Sequence, residues 1–205
     1  MTDWGVDVEL LERWRSGDLA AGRKLYDRHA DAVARFFENK VCVGAEDLTQ
    51  QTFLLLVESR DRIREGLTMR AFVLGIARNV LRDHVRKLAR GREVDPEVDA
   101  MADLAPGPTT VIGHSREQRL LLAALRRLPL EHQIGLELFY WEEMDAREIA
   151  EVMGISHSAM RSRLAKARAL LREAMEQLAE TPDLLASTLD NLAQWASQIR
   201  TQMGR

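Results

Sequence analysis

Arginine recurs every fourth residue in the stretch "RAFVLGIARNVLRDHVRK" (residues 70–87), at Arg78, Arg82 and Arg86. On a helix this spacing sets three guanidinium groups along one face, a stripe suited to a nucleic-acid phosphate backbone. From Arg70 to Arg92 there are seven basic residues against one acid, Asp83. A second basic run lies in "EIAEVMGISHSAMRSRLAKARALL" (residues 148–171): from Ser156 to Arg172 there are five basic residues and no acidic one. Arginine can grip guanine O6 and N7 with two hydrogen bonds, while serine and lysine serve phosphates and other base edges. A third stretch, "AEDLTQQTF" (residues 45–53), places Asp47, Gln50 and Gln51 on the polar side of a helix whose Leu48, Phe53 and Leu54 can bury.

Reaction chemistry is not in evidence. There is no glycine-rich phosphate loop and no nucleophile beside a base. His29, His84, His114, His132 and His157 are scattered without metal-ligand spacing. The expectation is no catalysis by this chain, no metal and no cofactor. Glu142, Glu143, Asp145, Glu148 and Glu151 cluster before a turn and read most simply as a solvated face.

The elements that position these side chains read as helices throughout. Helical spacing appears in Leu10, Leu11 and Trp14, then in Leu25, Tyr26, Val33, Phe36 and Phe37. It continues in Leu48, Phe53, Leu54, Leu56 and Val57, then in Phe72, Ile76, Val80 and Leu81. Each set can supply one buried stripe, so residues 1–92 form an expected helical bundle. From Glu93 to Thr110 come five acids, no basic residue and three prolines, which mark residues 93–112 as an acidic linker. A second helical domain, residues 113–175, follows with Leu120, Leu121, Leu125 and Leu128, a break at Pro129, and then Ile134, Leu138 and Trp141. In residues 176–205, Thr181 and Pro182 signal a helix start, and Leu185, Leu189, Leu192, Trp195, Ile199 and Met203 form an amphipathic helical tail. The fold class is all-α.

Within the second domain, Ala150, Gly154 and Met160 occupy the small-residue, turn and docking positions of a helix-turn-helix. Met160, Leu164, Ala167 and Leu171 would bury. His157, Ser158, Arg161, Ser162 and Lys166 then lie on or near the outer face, flanked by Arg163 and Arg168, with Ser156 as cap. The stretch by itself also fits a solvated basic helix in a small bundle.

The net charge of −3 over 205 residues announces no nucleic-acid binder globally, so local placement carries the signal. Hydrophobic content of 46% suffices for real cores. A single cysteine, Cys42, precludes an internal disulfide, reads as a buried or half-buried residue and fits a reducing cytoplasm. No signal peptide and no membrane-spanning stretch is apparent, so a cytoplasmic location without membrane insertion is expected.

Taken in order, the polar helix, the arginine-striped helix, the acidic linker and the helix-turn-helix resemble the sigma-70 family of bacterial RNA polymerase initiation factors, of the short two-domain extracytoplasmic-function (ECF) type. The resemblance runs from about Leu10 to about Arg172. It implies that residues 1–92 are a region 2 bundle and residues 113–175 a region 4 helix-turn-helix. "AEDLTQQTF" is similar to the polymerase-binding segment, so Asp47, Leu48, Gln50, Gln51 and Phe53 would meet core RNA polymerase, with Leu48 and Phe53 possible supports from beneath. "RAFVLGIARN" is similar to the helix that opens promoter DNA, so Arg78, Asn79, Arg82 and the neighbouring Arg86 would contact the minus-ten region. The loop from Asp61 to Thr68 would capture a flipped base. His157, Ser158, Arg161, Ser162, Arg163 and Lys166 fall in the reader of the upstream, minus-thirty-five element. Phe72 stands where the family usually has tryptophan, and Ile63 where an aromatic is common. The resemblance further implies core RNA polymerase and promoter DNA as partners, and an anti-sigma factor as a possible one.

The rival is a stand-alone helix-turn-helix regulator of transcription, which would have no need of "AEDLTQQTF" or "RAFVLGIARN". The tail after Arg172 lies beyond the family pattern; it could fold back on either domain, bind an inhibitor, pair with a second copy, or cover a polymerase-binding or DNA-binding surface.

Overall fold

The computed structural model describes residues 3–41, 43–63, 68–89, 95–104 and 115–202. Cys42, residues 64–67 of the expected base-capture loop, Met203, and residues 90–94 and 105–114, which take in both ends of the expected linker and His114, lie outside the described residues. Among the described residues the regular structure is helical, apart from an isolated bridge between Ala100 and Pro129.

The N-terminal half comprises α1 (Asp3–Arg15), α2 (Leu19–Glu38), α3 (Ala45–Ser59), a short 3-10 turn (Arg60–Arg62) and α4 (Met69–Leu88). Asp18 starts α2 by accepting from the Ala20 and Ala21 amides at 3.0 and 3.2 Å, taking up helix donors that would otherwise lack a partner. Helix α2 buries Leu25, Val33, Phe36 and Phe37 against α1, α3 and α4. Trp14 of α1 lies over α2 at Gly22, where a Cβ would fall 2.5 Å from the indole nitrogen. Asp7 locks the same pair of helices, accepting from Arg28 at 2.7 Å and contacting His29 at 2.9 Å. Burial alone would raise the Asp7 pKa, but His29 and Arg28 together hold its carboxyl below the usual aspartate value.

The expected stripes need correction at several positions. Tyr26, Leu54 and Val57 are exposed, because no described element covers that side of α2 and α3. In α4, Phe72 and Ile76 are half-buried, whereas Val73, Leu74 and Ala77 are fully buried. Helix α4 packs on two sides, against α2 and α3 and against a helix of the other half, so its buried arc is wider than a stripe.

The C-terminal half comprises α5 (Met101–Leu104), α6 (Arg116–Arg126), α7 (Leu130–Tyr140), α8 (Ala146–Met153) and α9 (His157–Leu178). Every residue of α7 from Leu130 to Leu138 is buried, including Glu131, His132, Gln133 and Glu137. Pro129 offers α7 no side-chain cap. Instead the Leu130 and Glu131 amides donate to the Asp99 and Pro96 carbonyls, each at 3.0 Å. Residues 95–104 are therefore docked on the start of α7 and are not a free tether, and Met101 lies fully in the core. Buried residues of both halves form one continuous cluster, with α4 packed on α8.

The tail reads as one amphipathic pattern and forms two helices, α10 (Pro182–Asp190) and α11 (Leu192–Gln202), parted at Asn191. They pack on α6, α7 and α9, burying Thr188, Ala196 and Ile199. Arg200 pairs with Glu143 at 2.9 Å, and Gln118 donates to Gln198 at 3.0 Å. Intramolecular packing is thus what the tail does, and the outer face of α9 is left open.

Candidate nucleic-acid and polymerase interfaces

The helix-turn-helix is formed by α8 and α9. Asp145 and Glu148 make a reciprocal capping box at the start of α8. Gly154 ends α8 with φ 68°, a left-handed conformation that suits glycine and turns the chain sharply. Ser156 caps α9 by accepting from the Ala159 amide at 3.2 Å. Met160, Leu164, Ala167 and Leu171 are buried, and Gly135 of α7 lets the Met160 methyl approach to 3.0 Å of where a Cβ would stand. The docked face leaves His157, Ser158, Arg161, Ser162 and Lys166 exposed on one surface, while Arg163 is half-buried. Arg168 turns back, lying over the Phe139 ring at 4.7 Å and donating to the Tyr140 hydroxyl at 3.3 Å.

On α3, Asp47, Gln50 and Gln51 are exposed, and Leu48 and Phe53 are buried beneath them. Beside this polar edge lies an apolar patch of Tyr26, Leu54, Leu55 and Val57, with the Tyr26 and Phe53 rings 4.5 Å apart. Such a patch on a protein surface is a protein-binding feature.

Helix α4 does not present its arginines as a uniform stripe. Asn79 and Arg86 are exposed, and Arg86 contacts Asp83 at 3.3 Å. Arg78, in contrast, donates through Nε and Nη2 to both oxygens of Glu131, each at 2.9 Å. Arg82 stands 3.9 Å from the same carboxylate. Arg163 of α9 approaches Glu131 to 4.0 Å and donates to Glu97 of the acidic segment at 2.7 Å. Three expected DNA contacts, two on α4 and one on α9, thus converge on one carboxylate of α7. Burial, with the cations Arg163 and Lys166 nearby, holds the neighbouring His132 below its ordinary pKa.

Two further ionic joints connect the halves. Glu142 accepts from Arg35 at 2.9 and 3.1 Å and from Arg70 at 2.5 Å. Burial acts to raise the Glu142 pKa, but Arg35 and Arg70 outweigh it and hold the carboxyl below the usual glutamate value. Glu137 accepts from Asn39 at 3.1 Å and from Gln133 at 2.8 Å, and pairs with the fully buried Lys40. Burial pushes the Lys40 ammonium down, against the pull of Glu137. Arg126 donates to the Asn39 carbonyl at 2.8 Å.

The reading of Glu142 as part of a solvated face is therefore overturned. Glu143, Asp145 and Glu151 are exposed, Glu148 is half-buried, and Glu142 is one of the most buried carboxylates in the chain. Sequence reasoning missed Glu131, Glu137 and Lys40 altogether. A signal existed: Glu131 and Glu137 stand among Leu130, Ile134, Leu136 and Leu138 in a helix apolar enough to be central, where a lone carboxylate must find a cation.

Among the described residues, no helix is long and apolar enough to cross a membrane. No group of three or more His, Cys, Asp or Glu residues there could hold a metal ion.

Two helical halves, one carrying a helix-turn-helix and the other an arginine-bearing helix beside a polar and apolar docking face, define a multi-domain factor that joins DNA to a protein machine. Family models for sigma-70 region 2 and sigma-70 region 4 match residues 25–91 and 118–171, in that order. The RNA polymerase sigma factor CarQ of Myxococcus xanthus is 33% identical over 171 residues, spanning 82% of this chain and 97% of that protein. The ECF RNA polymerase sigma factor SigL of Mycobacterium tuberculosis is 27% identical over 169 residues, 81% of this chain and 95% of SigL. The chain belongs to the sigma-70 family, as an ECF RNA polymerase sigma factor. It is a transcription initiation factor whose partners are core RNA polymerase and promoter DNA. Members of this family are generally non-enzymatic.

Two solved structures share the fold. Bartonella quintana RpoE, in complex with the anti-sigma factor NepR, superposes with a TM-score of 0.58 at 20% identity, covering 75% of this chain and 96% of RpoE. CnrH, in complex with the cytosolic domain of CnrY, superposes with a TM-score of 0.54 at 24% identity, covering 85% of this chain and 99% of CnrH.

Proposed function

We propose that residues 1–92 bind core RNA polymerase and melt the start-site region, that residues 93–112 link, and that residues 113–175 read the upstream promoter element. Residues 176–205 brace the reader. The observation that carries the assignment is the open face of α9: His157, Ser158, Arg161, Ser162 and Lys166 are exposed on a helix whose opposite side is fully docked. That arrangement is what major-groove readout requires. Asp47, Gln50 and Gln51 face the polymerase, and Leu48 and Phe53 support them. Arg78, Asn79, Arg82 and Arg86 hold the minus-ten strand, a role suited to guanidinium groups tracking a backbone. The chain performs no catalysis of its own, works in the cytoplasm beside the polymerase, and is a target for an anti-sigma protein, as RpoE and CnrH are each solved with a protein bound.

The test is co-purification with bacterial core RNA polymerase, then run-off transcription on a pool of promoter fragments. A stable complex that starts transcripts at new sites supports the reading. Sequence-specific DNA binding without polymerase binding would favour a stand-alone regulator. On a promoter so identified, Arg161→Ala is expected to cost about 1–3 kcal/mol at one upstream base pair, as for one lost bidentate contact. An equal loss on every sequence would make Arg161 a phosphate contact.

A further inference from the structure

The end of α1 reaches across to the segment that leaves α3. Arg15 donates from Nε and Nη2 to the Arg60 carbonyl at 3.1 and 2.9 Å, and from Nη2 to the Ile63 carbonyl at 2.9 Å. One guanidinium therefore bridges the first carbonyl of the 3-10 turn Arg60–Arg62 and the carbonyl just beyond that turn. The neighbouring Trp14 joins in: it is buried, and the Arg60 guanidinium lies over its ring at 5.6 Å. Ile63 is itself buried, so the chain is held here by its own side chain and, from α1, by the Arg15 fork.

This anchored stretch is the entry to the loop from Asp61 to Thr68 that the family resemblance gives to an extruded base. The exit is fixed as well: Thr68 caps α4 by accepting from the Ala71 amide at 3.1 Å, and Met69 is buried. A buried Ile63 has no open face on which an unpaired base could stack, so residue 63 supplies an anchor and not a platform. Asp61 and Arg62 stay exposed on the turn that Arg15 fixes. Folding gains little from Arg15, because it is exposed and its hydrogen bonds compete with water. Ligand binding gains more, since a loop whose ends are set in advance loses less conformational freedom when it is filled.

We propose that Arg15 is a positioning residue for base capture: by tying the carbonyls of residues 60 and 63 to α1, it sets the entry of the capture loop before promoter DNA arrives. Arg15 acts through that backbone and touches no DNA in this role. A guanidinium suits the task because its planar fork holds two acceptors in fixed geometry, which an ammonium group does not. The inference rests on the melting role proposed for residues 1–92 and on base capture by the loop. Its consequence is selective: the hold on one non-template base depends on Arg15, while affinity for polymerase and for the rest of the promoter does not.

The test uses holoenzyme assembled from core RNA polymerase and the full chain, on a promoter found by run-off transcription. Labelled fragments carry the minus-ten element with its non-template strand already unpaired, and each base of that strand is replaced in turn by an abasic site. Fluorescence anisotropy gives the dissociation constants. The native holoenzyme should lose affinity about tenfold at the captured base, as for one lost base contact. With Arg15→Gln the same abasic site should weaken binding only about twofold, because the hold on that base is already impaired. Its losses at the other positions, its affinity for core polymerase and the thermal midpoint of the free chain should stay native. A merely structural role would weaken binding to every fragment and leave the loss at the captured base at its native size. That result overturns the proposal. If Arg15→Gln does not fold, Arg15→Lys, which keeps the charge without the fork, decides by the same comparison. A native holoenzyme indifferent to every abasic site refutes base capture itself, and the proposal with it; a captured base whose loss ignores Arg15 refutes the proposal alone.

Discussion

Replacing Glu142 by glutamine isolates the strength of the joint at a position remote from the arginines given to DNA. Glu142 is buried and receives three hydrogen bonds from two guanidinium groups. Removing its charge leaves Arg35, whose side chain is 13% exposed, and Arg70, at 31%, without their counter-ion. Breaking a buried pair from one side costs about 3–5 kcal/mol. Arg70 is wet enough to recover part of that from water, so the expected loss is about 2–4 kcal/mol, a shift of roughly 30- to 1000-fold in the folded-to-unfolded ratio. The thermal midpoint of the variant should be clearly lowered, and scattering should report a radius of gyration of about 17 Å for the native chain. Acid should mimic the substitution. The Glu142 pKa is depressed below the ordinary 4.5 in the folded chain, so its contribution is fully present above that value and is lost only as pH falls through the lower, folded-state value. The native chain should keep its thermal midpoint at mildly acidic pH and lose stability below the usual glutamate range, and this step should be absent from Glu142→Gln. A variant with an unshifted thermal midpoint would refute the view that this ion cluster helps to hold the halves together.

Three further outcomes are expected. Asp47→Ala with Gln50→Ala should impair co-purification with core polymerase while leaving the thermal midpoint unchanged, since both side chains are exposed; full affinity would move the interface elsewhere. Gly22→Ala forces the Trp14 indole aside, which costs about 1–3 kcal/mol of overpacking against a helix gain of about 0.5–1 kcal/mol, so urea denaturation should show net destabilisation and a stabilised variant would contradict the packing. Ile199→Ala, at a fully buried tail residue, should cost about 2–4 kcal/mol in the same assay, and no change would mean that α11 is not docked in solution.

Much of the fold and some of the site are legible in residue order. Gly154 with its flanking caps and the docking series from Met160 to Leu171 foretell the helix-turn-helix, because each signal acts within one turn of chain. The outer face of α9 follows, since burying one side of a helix exposes the other. Local pattern misleads where a face has to choose a neighbour. Leu54 and Val57 have the spacing of core residues and remain exposed, while α4, packed on α2, α3 and α8 together, buries Leu74 and Ala77 beyond the stripe that its spacing marks.

Glu142 and Glu143 show where the boundary falls. They are adjacent, chemically identical and equally charged, yet one is clasped by two arginines and the other lies at the surface. The sequence alone determines the helices, their caps, their order and the chemical character of each face, because these depend on contacts a few residues long. Only the tertiary structure decides that Arg78, Arg82 and Arg163 meet at Glu131. Those partners lie tens of residues apart, and a long-range pairing between flexible charged side chains is set by how two halves pack, which leaves no periodic trace in the chain.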